Sequence, residues 1–244
     1  MITGVPFMGN EQFEAARKAE ADYHSNFYQN NELFEAGTWM ARPMPMVMEM
    51  LERLLAHKSE LRVLDLGCGV GRHTIPIAQR LQQTNSEVIG VDLLDEAVEG
   101  LRKYAKKYQV DHMVKAVKAD VEHYDIRPNT FDFIAACSCL EHVSDENAFL
   151  EALSRLQAGT RTGGIHCITM STSVEEQEIS TGRRIEPLIE LNLSTAKATE
   201  LLEEAYAGWN ILLQEHVTQT IEEEKYDEPT QFRCELLRFA VQKQ

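Results

Sequence analysis

Positive charge is what this sequence most lacks. Its 244 residues include 24 lysines and arginines against 39 aspartates and glutamates, which gives a formal net charge of −15 at pH 7. Such a surface repels phosphate backbones and anionic lipids, so a nucleic-acid or membrane partner would need a local basic patch. The one basic cluster, between Arg102 and Lys107, is typical of a solvated helix face. We therefore expect neither kind of partner.

Cysteine is also scarce. The five cysteines are odd in number and lie mostly in apolar segments, which favours buried free thiols in a reducing compartment. Cys137 and Cys139 do not have the spacing of zinc ligands, and no second pair completes a tetrahedral site, so we expect no metal. There is no apolar run of membrane-spanning length and no basic segment followed by an apolar one at the N-terminus. These absences predict a cytoplasmic protein.

What the chain does contain fits one α/β domain. Helical periodicity over residues 1–60 predicts an N-terminal helical extension or lid. Over residues 61–244, short apolar runs alternate with helical patterns, as in βαβ units with a parallel sheet. Five strands are predicted at Leu61 to Leu66, Val88 to Val91, Met113 to Ala119, Phe131 to Ser138, and from Gly164 through Met170.

The C-terminal part breaks this alternation. Residues Ser171 to Asn192 are polar and acidic, and we interpret them as an excursion over the top of the sheet, near whatever binds there. A helix around Ala196 to Ala205 precedes two strand-like runs, Trp209 to Thr220 and Gln231 to Val241. No helix fits between these runs, so they are expected to form an antiparallel hairpin.

The segment from Val63 to Arg72 reads VLDLGCGVGR, an apolar strand that runs into three glycines. Glycines at such a turn let a ligand approach the backbone. A dinucleotide fingerprint would need a third glycine at position 72, which is Arg72, and no phosphate-binding P-loop occurs. A nicotinamide dehydrogenase is therefore disfavoured.

Three predicted strands are followed by acids. Asp65 would repel a phosphate at the glycine turn and suits a cation instead. Asp92 ends the second strand, where a carboxylate can accept hydrogen bonds from both hydroxyls of a ribose, and Asp120 after the third strand could accept one from an adenine amino group. The alternative is that Asp65 and Asp92 only cap helices.

Asp65 through Gly71, Asp92, Asp120 and the run Phe131 to Ile134 together resemble the successive motifs of class I S-adenosylmethionine-dependent methyltransferases. The resemblance implies an α/β, doubly wound, mostly parallel seven-stranded sheet with an antiparallel final strand. It also implies S-adenosylmethionine as cofactor, with Asp65, Gly67 and Gly69 at the methionine end, Asp92 at the ribose and Asp120 at the adenine. The full set of expected cofactor-binding residues is Trp39, Arg42, Asp65, Gly67, Cys68, Gly69, Gly71, Asp92, Leu93, Asp120, Val121 and Cys137.

A weaker resemblance links the chain to tellurite-resistance-type methyltransferases. It involves Arg42, the stretch from Glu200 to Trp209 and the ending Leu237 to Ala240. The acidic segments around Glu175 and Glu222 have no counterpart in that branch.

The expected partner is a small-molecule methyl acceptor, because the chain is of modest length, has an apparent lid and lacks a basic surface. His142 is the first candidate for a general base and His73 the second, although either could be a structural histidine. Trp39, Tyr23 and Tyr28 could form the lid, with Arg42 pairing with the methionine carboxylate. A non-catalytic S-adenosylmethionine-binding sensor or assembly protein is the alternative.

Overall fold

The apolar runs come together in one mixed sheet. The computed structural model describes residues 10–223 and 228–244. The strands are β1 Arg62–Leu66, β2 Glu87–Asp92, β3 Val114–Lys118, β4 Phe131–Cys137, β5 Thr160–Glu178, β6 Arg184–Ile185, β7 Asn210–Glu223 and β8 Thr230–Gln242. The helices are α1 Asn10–Asn30, α2 Pro45–Leu55, α3 Thr74–Leu81, α4 Asp95–Lys107, α5 Glu146–Gly159 and α6 Thr195–Ala205, with a short 3-10 helix at Leu140–His142.

The strand order is β3-β2-β1-β4-β5-β8-β7. The first five strands in this order are parallel, whereas β8 runs antiparallel to both β5 and β7. The predicted seven-stranded sheet and its antiparallel hairpin are therefore confirmed, and the two-residue strand β6 is an addition that pairs with β5. The order reverses between β1 and β4, which is where ligands bind in open sheets of this kind.

Helices cover both faces of the sheet because successive side chains of each central strand point to opposite sides. Val63 of β1 packs in an apolar cluster with α2, α3 and α4, whereas the next residue, Leu64, packs in a second cluster with α5 and α6. Helix α4 shows how sequence selects this packing. Its apolar positions recur at helical spacing and are buried, two acids lie in its first turn and two lysines in its last.

The segment predicted as an excursion is in part a strand, so that prediction was wrong for residues 171–178. Here β5 continues for 19 residues to Glu178 and stays paired with β8. Thr172, Val174 and Glu176 are buried while their neighbours face outward. The period of two is present, but polar residues occupy the buried positions and conceal it. The remainder contains β6 and a loop at residues 186–194 that hydrogen-bonds back to Ser173 and Val174 of β5.

All five cysteines are buried and free, as predicted. Met44 and Met46 are buried in the core. Within residues 10–223 and 228–244, no helix has the length and apolar character needed to cross a bilayer.

Candidate active site

The glycine turn after β1 forms the floor of the site. Gly67, Gly69 and Gly71 all have positive φ, at 68°, 51° and 107°, a backbone conformation that favours glycine. The N–H groups of Gly67 and Cys68 donate to the carbonyl of Val91 on β2, at 2.9 and 3.0 Å. A Cβ atom at Gly67 would overlap the Cys139 side chain, and one at Gly69 would lie 2.6 Å from the Tyr28 hydroxyl. Glycine is therefore required here by conformation and by space.

Asp92 ends β2 beside this turn. Its Oδ2 accepts a hydrogen bond from the Gly69 N–H at 2.8 Å, and its Oδ1 accepts one from the Leu94 N–H at 3.0 Å. Burial raises the pKa of this carboxyl, while the backbone donors oppose that rise. Each carboxylate oxygen can accept two hydrogen bonds, so an acceptor position remains on each oxygen for a ligand.

Asp65 is fully buried at the carboxyl end of β1. Its Oδ2 accepts a hydrogen bond from the side-chain hydroxyl of Thr74, the first residue of α3, whereas the N-cap of that helix is His73. Its Oδ1 has no partner among the described residues. Burial raises the pKa of Asp65 to about 7, although the hydrogen bonds from Thr74 act against this rise. The hydrogen bond from Thr74 therefore accounts for only one of the two carboxylate oxygens.

Asp120 follows β3 and contacts the N-terminal helix. Its Oδ2 accepts a hydrogen bond from Arg17 Nη2 of α1 at 2.8 Å, and its Oδ1 accepts one from the Glu122 N–H at 2.9 Å. The ion pair with Arg17 is partly buried and ties α1 to the carboxyl ends of the strands. That residues 1–60 include a lid stays a prediction.

A cavity of about 780 Å³ lies between α1 and the strand ends. Ten of the residues predicted for the site line it, namely Trp39, Gly67, Cys68, Gly69, Asp92, Leu93, Asp120, Val121, Cys137 and His142. Asp65 and Gly71 lie behind this lining and support the turn.

Arg42 does not line the cavity, contrary to expectation. Its side chain is exposed, and its backbone carbonyl accepts a hydrogen bond from Arg72 Nε at 2.8 Å. Arg72 lines the cavity, as Arg17 of α1 also does, and its Cζ atom is 5.8 Å from the centre of the Trp39 ring. The arginine that follows the glycine turn, Arg72, thus lies at the cavity wall, whereas Arg42 does not.

His142 lies between two carboxylates. Its Nδ1 is 2.8 Å from Glu190 Oε2, and its Nε2 is 3.8 Å from Glu20 Oε1. Burial alone would lower the pKa of His142, but Glu190, Glu20 and Glu141 together raise it to about 9. At neutral pH this side chain is an imidazolium and holds its proton. The general-base role stays a prediction, and it requires that something first lowers this pKa.

His73, the second candidate base, is in the opposite state. It is buried at the cavity wall, and burial, aided by the neighbouring charge of Arg72, lowers its pKa to about 3. Its Nε2 has no hydrogen-bond partner in the described part of the chain. His73 is therefore a neutral imidazole at physiological pH.

Six charged residues at the cavity were not among the predicted site residues: Arg17, Glu20, Arg72, Glu141, Glu190 and Glu222. Arg17 and Glu20 are three positions apart and thus share a face of α1, a signal that was available. Glu141 directly precedes His142 and could have been included with it. Glu190 lies in the polar segment expected near the site, but nothing in the sequence singles it out.

Comparison with known proteins identifies the central part of the chain. Residues 63–164 match a family described as a methyltransferase domain. A sterol 24-C-methyltransferase from Candida albicans is 34% identical over 126 residues, which is 50% of this chain and 30% of that protein. The chain spans less than half the length of the curated relatives it matches.

Two solved structures share the fold across most of the chain. TehB from Haemophilus influenzae superimposes with a TM-score of 0.60 at 16% identity, over 92% of this chain and 67% of that one. A 1,6-didemethyltoxoflavin-N1-methyltransferase from Burkholderia thailandensis, solved with S-adenosylhomocysteine, gives a TM-score of 0.59 at 19% identity, over 98% and 92% of the two chains. The likeness to TehB supports the tellurite-resistance-type resemblance at the level of the fold.

Proposed function

We propose that this chain, which carries the domain and fold of the class I S-adenosylmethionine-dependent methyltransferases, transfers a methyl group from S-adenosylmethionine to a small-molecule acceptor. The observation that supports this most is the convergence of the glycine turn, Asp92 and Asp120 on one cavity.

The residues present fit the cofactor. Asp92 keeps a free acceptor position on each oxygen, as two ribose hydroxyls require, and Asp120 does so for an adenine amino group. Asp65 lies behind the cavity wall, where its buried carboxyl would favour the cationic end of the ligand through its charge rather than by direct contact. Arg72 is placed to meet a carboxylate. The glycine turn between these groups lines the cavity with uncharged residues, Gly67, Cys68 and Gly69.

The chemistry needed from the protein is modest. When bound, the cofactor would supply an electrophilic methyl group, because the electron pair of the carbon–sulfur bond can leave with the sulfur. The protein has to hold the acceptor in line with that bond and exclude water, and such positioning can supply much of the rate. Helix α1 contributes to both tasks because it covers the strand ends and is held there by the Arg17–Asp120 pair.

The cavity favours a small acceptor. Its volume of about 780 Å³ is within the range of small-molecule sites, and it has to hold the cofactor as well. Aromatic side chains from α1 and from the α1–α2 connector, including Phe27 and Trp39, form part of its wall. The surrounding net charge of −15 disfavours anionic polymers.

Methyl transfer can be tested directly with methyl-labelled S-adenosylmethionine and a panel of amines, phenols, thiols, selenite and tellurite. We expect label in at least one acceptor and stoichiometric release of S-adenosylhomocysteine. The Asp92→Ala variant should lose both, whereas Asp95→Asn, at an exposed position three residues away, should retain them. Tight binding of the cofactor without transfer to any member of the panel would contradict the proposal.

A further inference from the structure

A group of acidic side chains from three separate parts of the chain meets at His142. Glu20 comes from α1, Glu141 from the 3-10 helix and Glu190 from the loop before α6, and all of them line the cavity. We call these three glutamates and His142 the acidic subsite. The proposed cofactor contacts lie elsewhere, at the glycine turn, Asp92 and Asp120.

Glu141 has unmet hydrogen-bonding capacity. Its side chain is only 2% exposed, and its Oε1 accepts a hydrogen bond from the Ser171 N–H at 2.8 Å. Its Oε2 is buried and has no hydrogen-bond partner among the described residues. A buried carboxylate oxygen without a donor is costly, so this atom points to a ligand that supplies an N–H or O–H group.

The protein's own cations near the cavity are used elsewhere. Arg17 bonds to Asp120, and Arg72 stacks on Trp39 and bonds to a backbone carbonyl. His24, which also lines the cavity, is bonded through its Nε2 to Glu20 Oε1 at 3.0 Å. His142 brings one positive charge, and its Nδ1 is already bonded to Glu190. The subsite therefore attracts a further cation and repels an anion.

The walls beside the subsite suit an organic cation. Tyr23, Phe27, Tyr28 and Trp39 all line the same cavity, and the Arg72 guanidinium over Trp39 shows that one of these rings already faces a cation. Aromatic faces combined with carboxylates bind organic ammonium groups. A metal ion is a poorer fit, since across residues 10–223 and 228–244 no three His, Cys, Asp or Glu side chains are grouped to hold one.

We propose that the acidic subsite binds the methyl acceptor through a protonated nitrogen, so that the acceptor is an amine or a basic nitrogen heterocycle. This inference rests on the proposed methyl-transfer function and narrows it. An ammonium nitrogen has no lone pair and must give up one proton before it can react, and Glu141 Oε2 is the vacant acceptor for that proton. The nitrogen lone pair then forms the new bond to the methyl carbon, the carbon–sulfur pair leaves with sulfur, and the proton passes from Glu141 to solvent.

The test uses binding to the protein saturated with S-adenosylhomocysteine, in which no turnover occurs. Three probes of similar shape are compared by calorimetry: 2-phenylethylammonium, 2-phenylethanol and phenylacetate. We expect the ammonium compound to bind at least about tenfold more tightly than either of the others. Its binding should also lower the pKa of His142 from about 9, as followed by NMR, because a second cation disfavours the imidazolium.

Two variants and one control assign the effect to the subsite. Glu141→Gln and Glu190→Gln should each weaken binding of the ammonium probe about tenfold or more while leaving the affinity for S-adenosylhomocysteine unchanged. Glu151→Gln, at an exposed position on α5, should change neither. Equal or tighter binding of the alcohol or the carboxylate would overturn the inference, as would failure of the ammonium probe to bind.

The same experiments separate this inference from the proposed function. If S-adenosylhomocysteine binds and methyl transfer occurs, but only to phenols, thiols or acids, then the acidic subsite has been misassigned and the methyltransferase function stands. If no acceptor class is methylated, the proposed function itself fails.

Discussion

Replacing Asp92 with asparagine should weaken cofactor binding without changing the shape of the site. Both carboxylate oxygens receive backbone N–H donors, from Gly69 at 2.8 Å and from Leu94 at 3.0 Å. An asparagine amide has only one oxygen, so its NH₂ group must face one of these donors. At least one ribose hydroxyl then loses its charged acceptor, which costs about 1.5–3 kcal/mol. The dissociation constant should rise by about 10- to 150-fold.

The assay is isothermal titration of S-adenosylmethionine and S-adenosylhomocysteine into wild type, Asp92→Asn and Asp95→Asn. Asp95 lies at the start of α4, is exposed and pairs only with Lys118 among the described residues, so its variant tests the removal of one nearby charge. We expect Asp95→Asn to bind within about twofold of wild type. Near-wild-type affinity of Asp92→Asn would refute the reasoning, since the carboxylate would then not hold the ribose.

Three further predictions concern buried charge and backbone conformation. Burial raises the pKa of Asp65 to about 7, so this carboxyl should release about half a proton when the cationic cofactor binds at pH 7. The affinity for the cofactor should therefore rise between pH 6 and 8. Calorimetry in buffers of different ionisation enthalpy measures the proton release, which Asp65→Asn should abolish. Asp132 is buried and accepts hydrogen bonds from two cations and a backbone N–H. Asp132→Ala should therefore lower the free energy of unfolding, measured by urea titration, by about 2–3 kcal/mol. Asp125→Ala, at an exposed position, should lower it by under about 0.5 kcal/mol. Gly67→Ala should cost about 1–3 kcal/mol more than Gly182→Ala, because the two glycines have similar positive φ but only Gly67 is crowded; equal costs would show that conformation alone matters.

The core of the fold was predictable because its strands are continuous apolar runs. β4 is buried at all seven positions, and a buried parallel strand needs no alternation to be recognised. Asp92 and Asp120 were predicted on the same basis, since parallel strands bring their carboxyl ends to one edge of the sheet. The extension of β5 was not predictable in this way, because Thr172 and Glu176 occupy buried positions and are stabilised by hydrogen bonds rather than by apolar packing.

The contacts of α1 with the site depended on tertiary structure. The sequence predicts a helix, but its ion pair between Arg17 and Asp120 joins residues 103 positions apart, and no periodicity specifies such a partner. The positions of Arg42 and Arg72 relative to the cavity also depend on tertiary structure. Motif resemblance favoured Arg42, whereas the turn that follows Gly71 carries Arg72 into the cavity wall and leaves Arg42 exposed. Local patterns thus predicted the glycine turn and Asp92 at the cavity, but not Glu20 or Glu190.

The most direct test of the account is a crystal structure of the protein with S-adenosylhomocysteine. We predict that both ribose hydroxyls lie within hydrogen-bonding distance of the Asp92 carboxylate, about 2.5–3.2 Å, with the adenine beside Asp120. Electron density for the ligand at any other place, or a ribose out of reach of Asp92, would contradict the central claim.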